Sequence, residues 1–206
     1  MTTILFFKIL IVCLLGAMSP GPSMVVVINN AIFKNKLNGI LTALGHGFGI
    51  GVYASFAVIG IGLIIHTNLF IFNGIKTLSI LFLFYLGIQA VTNKGKLNFE
   101  NDLVKSGIKS FLQGFTISIL NPKIFIWFVA IYSQFMSSDN NLSLNISLVL
   151  IASFVDALWY ILLVNMVISK KIFELIKMKS GLIQTIIGYL FILLSLILAI
   201  DLLWMI

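Results

Sequence analysis

Arginine is missing from this 206-residue chain, and it has one cysteine, three prolines and six acidic residues. Charged residues make up 9% of the whole, against 60% hydrophobic. Each shortage removes a class of explanation. One cysteine cannot build a disulfide framework or a cysteine metal site within a single chain. Cys13 lies inside an apolar run and reads as packing. So few charges cannot coat a soluble domain, and a mean hydropathy of +1.15 demands lipid as solvent. No stretch alternates polar and apolar residues, which excludes transmembrane strands. The sequence has no His/Cys cluster, no paired deep carboxylates and no nucleophile elbow. Enzyme chemistry, a bound metal and a cofactor are therefore not expected.

The net charge of +7 comes from 13 lysines. In a soluble protein that excess would suggest nucleic acid. Here the lysines stand between apolar runs, where they act as topology signals and imply no nucleic-acid partner. Six apolar segments occupy residues 4–33, 39–65, 76–92, 111–135, 144–168 and 181–204. Each is long enough for the hydrocarbon core, which takes about 20 helical residues. A chain in lipid must satisfy its own backbone hydrogen bonds, so the segments are helices. The N-terminal run carries Lys8 within it and continues past Pro22, so it reads as a retained helix rather than a cleaved signal.

Loops 34–38, 93–110 and 169–180 share one side of a six-helix arrangement and hold ten lysines between them. The opposite side has Lys76, Lys8, Asp139 and Asp201. The lysine-rich side is cytoplasmic, and both termini face outward if the first segment spans; if it is re-entrant or non-spanning, the N-terminus lies inside. Helix one starts outside and helix four starts inside, so two three-helix halves run inverted to one another, as in inverted-repeat transporters. The expected fold is an all-α integral membrane protein with one membrane domain over 1–206. Repeat one covers about 1–92, a cytoplasmic loop 93–110, and repeat two about 111–206.

Two of the six helices are interrupted. "SPGPS" puts Pro20, Gly21 and Pro22 about sixteen residues into the first, and "LNPK" puts Asn121 and Pro122 about a dozen residues into the fourth. Mid-helix proline removes a hydrogen bond and clashes with the preceding turn, at roughly 3 kcal/mol. In lipid such a break is tolerated only against protein or a water-filled cavity. Matched breaks in corresponding positions of two halves point to a substrate site at the repeat interface. Half-helix N-termini offer free N–H groups and positive dipole ends, which suit a carboxylate.

Two charges lie deep. Lys123 follows the second break directly, where a lysine costs at least about 2.5–3.5 kcal/mol unless it faces a cavity or a partner. Asp156 is the one acid well inside an apolar segment, with Ser153, Trp159 and Tyr160 on its helix face. It is expected to pair with Lys123, to carry a proton, or both. Together the two make a charge plan for a zwitterion: half-helix ends and Lys123 for the carboxylate, Asp156 for the ammonium. Asn29, Asn30 and Gln134 either line a pathway or bond a neighbouring helix. His46, in "GHGFGIG", reads as a packed or interfacial residue. The four-residue spacing of Gly45 with Gly49, and of Gly47 with Gly51, reads as close helix packing.

"SPGPS", "GHGFGIG", "FYLGIQA" and "LNPKIFIWFVAIYSQF" occur in this order. Together they resemble the LysE/RhtB family of amino-acid exporters over essentially the whole chain. Asp156 with Trp159 is also similar to that family. The resemblance implies a bacterial inner-membrane, multi-pass exporter of amino acids or close derivatives, driven by protons or the membrane potential. It carries the substrate region onto Pro20, Gly21, Pro22, Asn121, Pro122 and Lys123. The residue after Pro-Gly-Pro is often acidic or an amide in the family; here it is Ser23, which is kept in the expected site. The absence of further deep acids favours neutral zwitterionic substrates. The competing readings are export of another small solute or cation, and a non-transporting membrane scaffold. Expected partners are the amino acid and the bilayer, with a homodimer plausible on symmetry.

The orientation can be tested by reporter fusions. A reporter placed within 93–110 is expected to score as cytoplasmic, and one placed after residue 206 as external; the reverse pattern would overturn the lysine-based topology.

Overall fold

The computed structural model describes residues 3–92, 107–136 and 142–204, and the fold over these residues is helical throughout. Helix α1 covers Thr3–Met18 and α2 covers Pro22–Asn29. Pro20 and Pro22 explain the interruption: neither can donate to the preceding turn. Ser19 N donates to Gly16 O and closes α1. The chain then bends by 69° and restarts with Pro22 as the first residue of α2, where a missing N–H costs nothing. A π-helical turn, Asn30–Lys34, extends α2 to the corner at Asn35. Asn35 caps the next helix by accepting from Asn38 N at 2.9 Å.

Helix α3, Lys36–Thr67, and helix α4, Leu69–Thr92, are separated by Asn68 alone. The Asn68 side chain accepts from Ile71 N at 3.0 Å and so caps α4. In the second half α5, Gly107–Ile119, and α6, Pro122–Phe135, meet at a second bend of 60°. Helix α7 covers Leu142–Val167 and α8 covers Lys170–Trp204. Four helices (α3, α4, α7 and α8) are long and apolar enough to cross a membrane, and there are up to six spans if each bent pair counts as one.

Several boundaries differ from expectation. Residues 170–180 form the start of α8, not a loop. The segment "KKIFELIKMKS" is rich in helix formers, so charge alone does not stop the helix. Lys170, Lys171, Lys177 and Lys179 are exposed along this stretch. Helix α4 begins at Leu69, seven residues before the expected 76, because Asn68 supplies a cap and no breaker follows it. Residues 107–110 belong to α5; the rest of the expected cytoplasmic loop, 93–106, and Asp139 lie outside the described residues.

Helix α3 is the centre of the packing, lying chiefly against α5 and α7, while α4 packs chiefly on α8 and α6. Its glycines permit this. A Cβ on Gly45 would collide with the Phe111 carbonyl of α5, and one on Gly114 with the Thr42 carbonyl of α3. On another side of α3, a Cβ on Gly47 would come within 2.7 Å of Ala157 Cβ on α7. Ser153 of α7 donates to Gly47 O at 2.7 Å through this close approach. In lipid, small residues of this kind let backbones approach where no hydrophobic force between helices exists. One buried apolar cluster joins α1, α3, α4, α6, α7 and α8. A second joins α2, the π-helical turn, α3 and α7.

Gly114→Leu is expected to lower thermal stability in detergent by about 1–3 kcal/mol, because the clash is with backbone and cannot be relieved by a rotamer. Gly60, whose added Cβ would meet nothing within 4 Å, is the control. Gly60→Ala is expected to be neutral or to stabilise by roughly 0.5–1 kcal/mol through helix propensity.

Candidate substrate site

The two bends face one another. At the first, Gly21 takes the N-cap position of α2 in extended conformation, with no side chain capping the helix. The first N–H groups of α2 therefore lack both an intrahelical partner and a side-chain cap. At the second, Asn121 is the N-cap of α6, and its side chain accepts from Lys123 N at 3.1 Å. Pro122 follows as the first residue of α6. Lys123 then reaches across: its Nζ donates to Ser19 Oγ at 2.7 Å, joining residues 104 positions apart. One hydrogen bond thus ties the start of α6 to the break after α1.

A cavity of about 60 Å³ lies at this junction, room for several water molecules. Gly21, Pro22, Ser23, Asn121, Lys123 and Asp156 all line it. Pro20 is buried in the corner between α1 and α2, outside the lining set. Ser23 Oγ is buried without a hydrogen-bond partner among the described residues. The apolar wall includes Trp127, Phe128 and Phe191. Trp127 and Phe191 pack with ring centroids 4.9 Å apart.

Asp156 and Lys123 share the cavity but make no ion pair. Asp156 Oδ2 instead hydrogen-bonds with His46 Nδ1 at 2.6 Å. Both residues are almost wholly buried, His46 at 2% exposure and Asp156 at 5%. The His46 ring also stands edge-on to Tyr160, with centroids 4.9 Å apart. His46, expected as a packed or interfacial residue, is packed and also lines the cavity. Its partner is 110 positions away on another helix, and only the α3–α7 approach at Gly47 brings the two together. Of the residues expected on the face of Asp156, Tyr160 lines the cavity, whereas Ser153 is spent on Gly47 O.

Of the remaining polar candidates, Asn30 and Gln134 bond neighbouring helices, whereas Asn29 Oδ1 is buried without a hydrogen-bond partner among the described residues. Asn30 Nδ2 donates to Thr42 Oγ1 at 2.6 Å and to Gln113 Oε1 at 3.0 Å. Gln134 Nε2 donates to Lys76 O at 3.2 Å. Among the described residues, no group of three or more His, Cys, Asp or Glu side chains converges as a metal site would require.

The LysE-type translocator family model matches residues 14–202, which includes both bends and every residue lining the cavity except Cys13. The chain belongs to that family. Among curated relatives of this LysE-type chain, a threonine efflux protein of Salmonella typhi is 26% identical over 185 residues, covering 86% of this chain and 85% of the relative. A threonine efflux protein of Escherichia coli K12 is 30% identical over 143 residues, 66% of this chain and 68% of the relative. A leucine efflux protein of Salmonella choleraesuis is 28% identical over 121 residues, 57% and 56% of the two chains. No solved structure matches this chain. LysE-type membership and the long apolar helices make it a multi-pass membrane translocator.

The His46–Asp156 bond is open to a double-mutant cycle. Asp156→Ala leaves a buried imidazole N–H unpaired and is expected to cost about 1–3 kcal/mol of stability in detergent. In the double variant His46→Ala/Asp156→Ala the losses are expected to be less than additive by about 0.5–3 kcal/mol. Strict additivity would mean the bond contributes nothing.

Proposed function

We propose that this LysE-type translocator exports amino acids or close derivatives across the bacterial inner membrane, driven by protons or the membrane potential. Its substrates are neutral zwitterions. The bond from Lys123 Nζ to Ser19 Oγ carries the reading. A lysine in the membrane interior whose one hydrogen-bond acceptor among the described residues is a neutral hydroxyl is an electrostatic vacancy for an anion. A carboxylate at that point gains the ammonium, the uncapped N–H groups of α2 and the hydroxyls of Ser19 and Ser23. The neighbouring Asp156 gives the ammonium of the same molecule a place. Relatives named for threonine and leucine efflux support small neutral substrates.

Each bent pair, α1 with α2 and α5 with α6, acts as one broken span in this proposal. That makes six spans in two inverted halves around the cavity. Pro20, Gly21, Pro22, Asn121 and Pro122 hold the spans open, and irregular backbone is tolerated there because it lines the site. A cation exporter would need several converging acids, imidazoles or thiols, and although Asp156, His46 and Cys13 line the cavity beside a lysine, no three such groups converge among the described residues.

The test is export from cells loaded with individual amino acids, threonine and leucine first, with inside and outside pools followed by mass spectrometry. Expression is expected to speed the exit of at least one of them and to relieve its growth inhibition. Lys123→Ala is expected to slow that exit roughly 10- to 100-fold, the worth of a hydrogen bond to a charged group. Pro20→Ala and Pro122→Ala are expected to slow it less but measurably. Full export by Lys123→Ala protein present at normal level in the membrane would sink the assignment.

A further inference from the structure

We propose that the His46–Asp156 pair is the seat of the coupling proton, and that a proton on His46 Nε2 and a substrate ammonium at Asp156 exclude one another. This rests on the amino-acid export reading above. Three observations lead to it. The pair is buried and lines the same cavity as Lys123. Asp156 Oδ2 is engaged by His46 Nδ1, which leaves Oδ1 to meet a substrate ammonium. And His46 Nε2 is buried without a hydrogen-bond partner among the described residues, while its ring lies at the cavity wall. A buried imidazole nitrogen left unpaired is costly in a purely structural role.

The groups facing the pair set the charge balance. Helix α1 contributes the Cys13 thiol, α2 the Ser23 hydroxyl, α6 the Lys123 ammonium and α7 the Tyr160 phenol. Helix α8 contributes Phe191, which carries no charge. With one proton, on Nδ1 and donated to the carboxylate, the pair has a net charge of minus one. Together with Lys123 the cavity is then neutral and matches a zwitterion: carboxylate towards Lys123, ammonium towards Asp156. With a second proton, on Nε2, the pair is neutral and the cavity carries one positive charge. The ammonium then meets an imidazolium rather than a net anion.

Substrate and second proton therefore bind to alternative states of one pair. Facing outward, the cavity gives up its amino acid and Nε2 takes a proton from outside water. Facing inward, Nε2 returns that proton to cytoplasmic water and the next amino acid enters. One proton moves in for each amino acid that moves out, and no covalent bond changes beyond N–H. His46 in this scheme is a coupling residue, and Asp156 holds its tautomer as well as meeting the substrate.

The experiment uses the full chain in proteoliposomes with labelled threonine and leucine. Exchange of internal for external amino acid without a pH gradient reports whether the protein moves amino acids at all. Accumulation driven by a pH gradient reports coupling. His46→Gln, which keeps a side chain able to donate to Asp156, is expected to depress gradient-driven accumulation about tenfold more than it depresses exchange. Equal depression of both, or retained accumulation, would overturn the proposal. Wild-type protein that exchanges neither amino acid would instead overturn the export reading, and the coupling scheme with it.

A second measurement needs no variant. Threonine and leucine binding to the wild-type protein is followed by calorimetry in buffers of different ionisation enthalpy. As the pH is lowered the affinity is expected to fall, with release of up to about one proton per bound amino acid. Binding with no proton release at any pH the protein tolerates would overturn the proposal even if His46→Gln failed to fold.

Discussion

A backbone in lipid has no water to fall back on, and this constraint orders the whole molecule. Each helix must run unbroken or end against something that pairs its terminal groups. The chain breaks at Met18–Pro22 and at Ile119–Pro122, and both breaks open onto one cavity. At α6 the terminal groups are met by the Asn121 side chain. At α2 no side chain caps them. The prolines forbid the unbroken solution, and the cavity makes the broken one affordable. A site with positive polarity at its core follows from that geometry before any charged side chain is counted.

Lys123 and the His46–Asp156 pair then divide the electrostatics. Lys123 belongs to the broken half of the structure, since it is anchored by a break and bonded to the other break through Ser19. His46 and Asp156 belong to the unbroken half, on α3 and α7, where glycine packing holds the backbones close. A carboxylate and an ammonium on one small molecule would engage both halves at once. Substrate binding would in this way engage the broken helices and the unbroken ones together.

Much of this was legible in the chain itself. The apolar runs named the membrane as solvent, and the placement of Pro20, Pro22 and Pro122 named the two corners. Lys123 and Asp156 stood out because charge in the middle of an apolar run is expensive. The helix boundaries were less legible. The start of α8 was hidden because lysine is both a polar residue and a good helix former, so composition and propensity pointed opposite ways across 170–180. The pairing of His46 was hidden for a different reason. A lone histidine among glycines carries no local sign of its partner, and the residue that matters is 110 positions further on.

The sequence by itself determined the solvent, the helical class and the two breaks, because each depends on local composition or on short-range backbone sterics, and its ordered motifs carried the resemblance to the family. The tertiary structure alone decided the pairings: Lys123 with Ser19 rather than with Asp156, and Asp156 with His46. Those depend on which helices pack against α3 and how closely. That closeness is decided by Gly45 and Gly114 fitting against backbone carbonyls, and by Gly47 fitting against Ala157 on a third helix. Spacing within one helix announces that something will pack there, but the partner is a property of the folded whole.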